Sequence, residues 1–479
     1  MHGFMTKNVS GFLLALFTLL MILGTTVQAQ GKLPPELAQA WARTKLPESA
    51  LSLTVEEVNG PRLFAVNPDL PRNPASVMKL VTTYAALSHL GPNYTWRTDL
   101  LIDADAQIND GVLSGPLYIR ASGDPLLLIE NFSHLLQELK LKGVTQLSDV
   151  IVDRSIFGDV AIDPGSFDGA SDRPYNASPD AFIIGFGALR LLFSPDEATR
   201  TWRASIDPAI DGVEVEGVVQ WKDGQCVSAP AVNVQTITAD GHVRFKVSGQ
   251  AIGACGEFDE YKLALSQQDY AARVFKTVWT EQGGTIVGTV RQGFIPADAK
   301  VVATNESQPL AEVIRLINKT SNNVMTRVLL LTLGAEAGRR PATVQSSAEV
   351  VKNILAEQGI PTRGLVLDNG SGLSRIGVVS SANLAQMLRK AWQSKFMQQY
   401  LSSLSVLGVD GTMRNRLKAQ NTQARAHMKS GLLKDARSVA GYVMGNSGKR
   451  YILVSLTNHE RANDVRGFED TVIAWLIAH

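Results

Sequence analysis

The chain has 479 residues, of which 45% are hydrophobic, and its formal net charge is +1. This length exceeds that of a usual single hydrophobic core, so we expect two or more domains. A charge near zero, without long runs of one sign, excludes a protein that holds nucleic acid through its phosphates, and no nucleic-acid partner is expected.

The N-terminus has the pattern of a secretory signal. Lys7 precedes an apolar run over residues 11–24, and small residues stand at Val27 and Ala29. The pattern predicts a cleavable signal peptide over residues 1–29. An uncleaved anchor is the alternative, although the run is short for a membrane-spanning helix. We therefore expect an exported, periplasmic protein.

The two ends of the mature chain carry the clearest strand patterns. Residues 51–57 and 62–67 flank Asn59-Gly60, which predicts a hairpin. A helix is predicted from Ala75 to Leu90. Strands at both ends with helices between them predict an α+β fold whose antiparallel sheet is closed by the first and last parts of the chain. The remaining predicted elements are strands at 424–433, 438–444 and 450–458 and helices at 309–320, 323–333, 344–358 and 381–393.

The stretch from 94 to 296 has a different composition, with a predicted hairpin, a helix and then a strand-rich run. We interpret it as an inserted region of mixed α/β structure with a nested all-β part at about 190–265. The predicted catalytic domain then comprises residues 30–93 and 297–479.

Cys226 and Cys255 are the only cysteines. Export to an oxidising compartment favours a disulfide between them, and both lie beside alternating, strand-like sequence. Two unpaired buried thiols are the alternative, because a sequence does not fix the distance between the Cα atoms.

A candidate nucleophile opens the first long helix. Ser76 is the only serine in the chain with a lysine, Lys79, three residues further on. Three residues make about one helical turn, so the hydroxyl and the amine lie on one face, where the amine can deprotonate the hydroxyl. The helix N-terminus also supplies a backbone N–H for a developing oxyanion. Taken alone, the pair also fits a helix-start serine beside a solvated lysine.

Two further motifs follow along the chain. Ser321-Asn322-Asn323 falls between two predicted helices, and Lys429-Ser430-Gly431 is the only Lys-[Ser/Thr]-Gly, within a predicted edge strand. An edge strand with a lysine, a hydroxyl and a glycine can pair with a peptide and hold its carboxylate. Ser381-Ala-Asn has the same pattern as the second motif, but we interpret Ser381 as a helix N-cap.

The order Ser-x-x-Lys, Ser-x-Asn, Lys-[Ser/Thr]-Gly is typical of penicillin-binding proteins and class A β-lactamases. The chain resembles the class C low-molecular-mass penicillin-binding proteins, the D-Ala-D-Ala carboxypeptidase/endopeptidase family. Leu432 departs from that family, whose members usually have Ser or Thr after the third motif. The resemblance also rests on the blocks at 73–83, 122–125, 317–323, 367–375 and 408–412 and on the long interval between the first two motifs.

The resemblance implies a serine transpeptidase-like fold and a hydrolase that cleaves peptidoglycan stem peptides through an acyl-enzyme. β-Lactams are the implied inhibitors, no cofactor or metal is expected, and loose association with the membrane or cell wall is implied. A penicillin-binding scaffold with little turnover and a β-lactamase are the alternatives. The implied catalytic residues are Ser76, Lys79 and Ser321, and the implied substrate-binding residues are Asn323, Lys429, Ser430, Gly431 and Leu432.

The segment 166–176 in the inserted region is polar, turn-forming and aromatic, which is typical of a binding loop. We predict that its Asp172 carboxylate binds the free amine of a diamino acid in the stem peptide. The alternative is an exposed loop with a solvated aspartate.

Overall fold

The computed structural model of the protein describes residues 32–227, 229–418 and 422–479. The predicted signal peptide lies outside these residues. Within them, no helix combines the length and the apolar character that crossing a membrane requires.

The secondary structure comprises twenty-two strands and ten α-helices in the described residues. The strands are β1 (Leu51–Glu57), β2 (Arg62–Val66), β3 (Arg97–Ile102), β4 (Ile108–Asn109), β5 (Val112–Leu113), β6 (Leu117–Arg120), β7 (Gln146–Leu147), β8 (Val150–Asp153), β9 (Leu189–Asp196), β10 (Thr201–Asp207), β11 (Val213–Gly217), β12 (Val219–Lys222), β13 (Ala231–Ala239), β14 (His242–Ile252), β15 (Phe258–Lys262), β16 (Thr285–Ile286), β17 (Val290–Gln292), β18 (Lys300–Glu306), β19 (Ser405–Val406), β20 (Ala426–Leu432), β21 (Ala436–Met444) and β22 (Arg450–Asn458). The helices are α1 (Pro35–Thr44), α2 (Lys79–Leu90), α3 (Ile129–Leu141), α4 (Gln267–Glu281), α5 (Leu310–Thr320), α6 (Asn323–Glu336), α7 (Val344–Glu357), α8 (Ser381–Gln393), α9 (Met397–Ser403) and α10 (Arg466–Ala478).

Strands from both ends of the chain form one antiparallel sheet in the order β19-β20-β21-β22-β1-β2. The first long strand pairs with the last, since Leu51 lies opposite Thr457 and Glu57 lies opposite Tyr451. The predicted hairpin and the predicted closure of the sheet by the two chain ends are therefore confirmed.

This sheet is buried on both faces. Along β22, Ile452 and Val454 belong to a core shared with α2 and α5 to α8, whereas Leu453 belongs to a second core shared with α1 and α10. The alternation follows from the two-residue period of a strand. Helices on both faces hold the sheet in place, and one edge of it is left for the candidate site.

Three further sheets lie between α2 and α5. A five-stranded sheet has the order β17-β8-β6-β3-β18, a small sheet has the order β16-β7-β5-β4, and a seven-stranded sheet is made of β9 to β15. Parallel pairs and helices α3 and α4 accompany the first two sheets, as expected of a mixed α/β part. The seven-stranded sheet covers the predicted all-β part.

The inserted region extends beyond its predicted end. Strand β18 pairs antiparallel with β3, so Lys300–Glu306 belong to the five-stranded sheet. The sequence prediction had assigned these residues to the catalytic domain. A pattern of short strands does not reveal such a long-range pairing, and the rest of the domain division stays a prediction.

Cys226 and Cys255 form a disulfide, with their Cα atoms 4.9 Å apart. Cys226 follows β12 and Cys255 follows β14, two strands that pair in parallel. The bridge therefore joins the ends of neighbouring strands within the seven-stranded sheet.

Candidate active site

Ser76 lies in a tight turn at the start of α2. Residues Ala75–Met78 form a 3-10 helix that continues into the α-helix at Lys79. In a 3-10 helix, side chains three residues apart eclipse each other. The hydroxyl of Ser76 and the amine of Lys79 are therefore on the same face, at a distance of 3.1 Å.

The backbone before Ser76 is fixed by side chains from distant parts of the chain. Asn73 accepts a hydrogen bond from the Ala75 N–H (2.9 Å) and donates one to the carbonyl of Ser374 (2.8 Å). The hydroxyl of Ser438, on β21, donates to the carbonyl of Pro74 (2.5 Å). The turn is thus positioned by its surroundings before any substrate arrives.

The amine of Lys79 is fully buried and surrounded by three oxygen atoms. Its Nζ lies 3.1 Å from Ser76 Oγ, 2.6 Å from Asn323 Oδ1 and 2.6 Å from the carbonyl oxygen of Ser371. A neutral amine has two hydrogens and one lone pair. It can donate to the amide and carbonyl oxygens while its lone pair accepts the hydroxyl hydrogen of Ser76, which is the arrangement that a general base requires.

The pKa of Lys79 is lowered well below the ordinary value for a lysine. Burial is the largest cause, followed by the positive charges of Lys429 and Arg327. These causes all disfavour the cationic form, so they increase the fraction of Lys79 that can accept a proton at neutral pH.

The second motif lies between α5 and α6. Ser321 ends α5 in the left-handed conformation (φ 60°), and Asn322 caps α6 by accepting from the Met325 N–H at 3.0 Å. This turn points the next side chain, Asn323, at Lys79. Its Nδ2 also donates to the carbonyl of Tyr175 at 3.3 Å, which connects the site to the inserted region.

The third motif lies on β20. Lys429 is fully buried, and its Nζ donates to Ser321 Oγ at 2.9 Å and to the carbonyl of Ser430 at 2.8 Å. Burial lowers the pKa of Lys429 to about 7. The structure therefore places the three motifs around one point, although they lie far apart in the sequence.

The part of β20 that carries the third motif has a free edge. β19 pairs only with His427 and Met428, and no other strand in the described residues covers Lys429–Leu432 on that side. Backbone N–H and C=O groups on this edge are available to a peptide in an extended conformation.

Gly431 allows β20 to touch the turn that holds Ser76. A Cβ atom on Gly431 would lie 2.6 Å from the carbonyl oxygen of Pro74, 2.9 Å from the nitrogen of Ser76 and 2.3 Å from Ser438 Oγ. Two of these contacts are with backbone, which cannot move aside as a side chain can. The glycine is thus required by the close approach of strand and nucleophile.

The carbonyl of Ser371 was not assigned a role from the sequence. It lies between Gly370 (φ 71°) and Gly372 (φ 80°), and a Cβ on Gly372 would lie 1.8 Å from the carbonyl oxygen of Ala75. Asn-Gly-Ser-Gly in this block was a visible signal of a special turn. A backbone acceptor, however, has no side-chain signature.

The model of the D-Ala-D-Ala carboxypeptidase 3 (S13) family matches residues 33–478. The chain belongs to this family. It is similar to the D-alanyl-D-alanine carboxypeptidase of Actinomadura, with 27% identity over 84% of this chain and 77% of the relative. It is also similar to the D-alanyl-D-alanine carboxypeptidase DacB of Haemophilus influenzae, with 26% identity over 88% of each chain.

Solved structures show the same fold. The crystal structure of penicillin-binding protein 4 (dacB) from Haemophilus influenzae superposes with a TM-score of 0.75 at 24% identity, over 92% of this chain and 99% of that chain. A complex of that protein with a novel β-lactam superposes with a TM-score of 0.72 at 23% identity, over 93% and 100%. The predicted family, the α+β fold class and the assignment as a serine-type D-Ala-D-Ala carboxypeptidase are confirmed.

Asp172 already has a partner within the protein. Its carboxylate pairs with Lys262, which is itself buried, at 2.7 Å, and it lies 3.5 Å from Thr236 Oγ1. A substrate amine would have to displace a lysine that follows it by ninety residues in the chain. The sequence could not reveal this partner, and the binding of a substrate amine by Asp172 stays a prediction.

Ser381 is not the helix cap that we predicted. The cap of α8 is Ser380, which accepts from the Asn383 N–H. Ser381 is fully buried, and its Oγ lies 2.9 Å from both Ser52 Oγ and Thr54 Oγ1 on β1. Its hydroxyl thus binds the helix to the sheet, away from the Lys79 amine.

Replacing Ser381 with alanine should therefore cost roughly 1–3 kcal/mol of stability, because two buried hydroxyls lose a partner. Penicillin acylation should persist in the folded fraction. Ser321→Ala, by contrast, should reduce turnover with a smaller loss of stability. Urea unfolding together with acylation rates measures both effects. A folded Ser381 variant without acylation beside a fully active Ser321 variant would reverse the assignment.

Within the described residues, no group of three or more His, Cys, Asp or Glu side chains is arranged to hold a metal ion.

Proposed function

We propose that this D-Ala-D-Ala carboxypeptidase cleaves peptidoglycan stem peptides, as carboxypeptidase and endopeptidase, with Ser76 as its nucleophile. The observation that carries the proposal is the contact between Ser76 Oγ and the buried, three-fold hydrogen-bonded amine of Lys79. Such a contact activates a hydroxyl that is otherwise a weak nucleophile.

In the acylation step, Ser76 Oγ attacks the carbonyl carbon of the penultimate D-Ala, and Lys79 accepts the hydroxyl proton. The N–H groups of Ser76 and Leu432 would stabilise the oxyanion, usually the largest contribution in acyl transfer. A Cβ on Gly431 would lie 2.9 Å from the Ser76 nitrogen, and this close approach of β20 supports placing the two donors together.

Collapse of the tetrahedral intermediate breaks the peptide bond and leaves an ester on Ser76. The departing D-Ala nitrogen takes the hydroxyl proton of Ser321, which Lys429 replaces at 2.9 Å. In deacylation, water attacks the ester and gives a proton to the now neutral Lys429 through Ser321. The Ser76 oxygen takes back the proton that Lys79 holds as the shortened peptide leaves. A β-lactam would acylate in the same way, but its leaving group stays tethered.

In this proposal, the free edge of β20 and the charged and polar side chains beside it hold the substrate. We assign the peptide backbone to the free edge of β20, the substrate amide to Asn323, and the terminal carboxylate to Lys429 and Ser430. Support for a β-lactam as ligand comes from the complex of the Haemophilus influenzae relative.

We propose that the enzyme works in the periplasm, loosely associated with the membrane or cell wall. The signal-like N-terminus supports export. The disulfide between Cys226 and Cys255 also supports it, because disulfides persist in oxidising compartments.

Two measurements test the proposed function. Steady-state kinetics on a D-Ala-D-Ala peptide and on a chromogenic cephalosporin separate a peptidase from a β-lactamase and from a scaffold with little turnover. Mass spectrometry of the penicillin-treated enzyme should find the added mass on the peptide that contains Ser76. Rapid cephalosporin hydrolysis without peptide cleavage would contradict the proposal.

The pH dependence of kcat/KM should reflect the titration of both Lys79 and Lys429. Lys79 acts as a base only when neutral, so activity rises with pH up to its lowered pKa. Lys429 binds a carboxylate only when charged, so activity falls as pH rises through its pKa of about 7. A peptide with a C-terminal amide has no carboxylate to bind, and its alkaline decline should be weaker. Identical profiles for the acid and the amide would exclude this role of Lys429.

A further inference from the structure

A second hydroxyl lies beside Ser430 at the carboxylate end of the site. Thr412 is exposed in a 3-10 turn at Gly411–Met413, and its Oγ1 is 2.8 Å from Ser430 Oγ. Thr412 belongs to none of the three sequence motifs.

The turn that carries Thr412 is tied to both neighbouring motifs. Its N–H donates to Ser405 Oγ at 3.2 Å, and Ser405 belongs to β19, which pairs with β20. The preceding Asp410 forms an ion pair with Lys319, two residues before Ser321. The position of the Thr412 hydroxyl is therefore fixed relative to both Lys429 and Ser321.

The hydroxyls of Ser430 and Thr412 together leave one hydrogen free for a ligand. Ser430 Oγ donates to Thr412 Oγ1, and Ser405 Oγ, the other hydroxyl near Thr412, is at 3.4 Å. Two hydroxyls have two hydrogens, and one is used between them. The second can be donated to an anion in the cleft, and a hydroxyl that already accepts a hydrogen bond is the better donor.

The position after Gly431 offers no such hydrogen. Leu432 is 58% exposed and has no polar atom in its side chain. A carboxylate in front of Lys429 therefore meets only hydrocarbon where a second hydroxyl on the strand would stand. The free hydrogen of the Ser430–Thr412 pair is on Thr412, which contacts Ser430 from outside the strand.

We infer that Thr412 is a binding residue for the terminal carboxylate of the substrate and takes the place of the hydroxyl that Leu432 lacks. The inference rests on the proposed function. Charged hydrogen bonds of this kind contribute more than neutral ones, so the residue determines the preference for substrates with a free C-terminal carboxylate.

The test compares Thr412→Val with Thr412→Ser on two peptides, one ending in the D-Ala carboxylate and one in the D-Ala amide. Valine keeps the shape and the backbone N–H of threonine but removes the hydroxyl. We expect kcat/KM for the acid to fall about tenfold, mainly through KM, and that for the amide to change less than about twofold. The serine variant should stay close to wild type, and thermal unfolding of each variant checks that it folds.

Two second-site variants separate direct binding from support of Ser430. Leu432→Thr restores a strand hydroxyl, so it should recover most of the activity that Thr412→Val loses. In a Ser430→Ala background, Thr412→Val should still lower kcat/KM for the acid by several-fold, because its contact with the carboxylate does not pass through Ser430.

Several outcomes overturn the inference: no loss in folded Thr412→Val, equal losses on acid and amide, or no further loss in the Ser430→Ala background. A wild-type enzyme that cleaves neither peptide and is not labelled by penicillin would instead refute the proposed function itself. The two failures are therefore distinguishable.

Discussion

Replacing Ser76 with alanine should abolish covalent labelling by penicillin and cleavage of D-Ala-D-Ala peptides. In the described residues, the remaining hydrogen-bond partners of the Lys79 amine are an amide oxygen and a backbone carbonyl, and neither can act as the nucleophile. Binding and oxyanion donors would still be present, but no acyl-enzyme could form. Intact-protein mass spectrometry after incubation with penicillin measures the effect directly.

Ser447→Ala is the matched control, since Ser447 is exposed in the turn between β21 and β22. It should be labelled to the same extent as the wild type. Full stoichiometric labelling of the Ser76→Ala protein would show that the nucleophile is another residue.

Replacing Lys79 with alanine should slow acylation by about 10²-fold or more, the usual loss for a missing general base. The residue is the only amine in contact with Ser76 Oγ in the described structure. Lys79→Gln is a second variant that keeps hydrogens for Asn323 and Ser371 but cannot accept the proton of a hydroxyl. It should be equally slow, and stopped-flow measurement of penicillin acylation gives both rates.

Lys434→Ala serves as the control, because Lys434 is exposed in the turn after β20. Its acylation rate should equal that of the wild type. If Lys79→Gln acylated normally while its unfolding curve matched the wild type, the base would have to be Lys429.

The sequence was sufficient to predict the residues of the candidate site because its motifs are local. Ser76 and Lys79 are three residues apart, and a single turn brings them together whatever the rest of the chain does. Lys429 on β20 and Ser321 before α6 could be recognised in the same way, from short local motifs. Their common location followed from the family resemblance, and the hydrogen bonds of Lys429 now show it.

Other parts of the site depend on contacts between residues that are distant in the sequence, and no local sequence pattern predicts such contacts. The carbonyls of Ser371 and Tyr175 act through the backbone, which every residue has. Asp172 looked like a free charge because its partner Lys262 is distant in sequence. The Ser381 error has another cause, since Ser380 and Ser381 are adjacent and either could cap the helix. The contacts of Ser381 with Ser52 and Thr54, which are distant in sequence, are visible only in the fold.

The pairing of β1 with β22 has a consequence for the time at which the enzyme becomes active. Ser76 is made before β20, the strand that carries Lys429, and before β22, the strand that pairs with β1. Contacts of such long sequence separation form late in folding. A nascent or truncated chain that lacks these two strands therefore has its nucleophile but no working centre, so hydrolysis cannot begin before both strands are made.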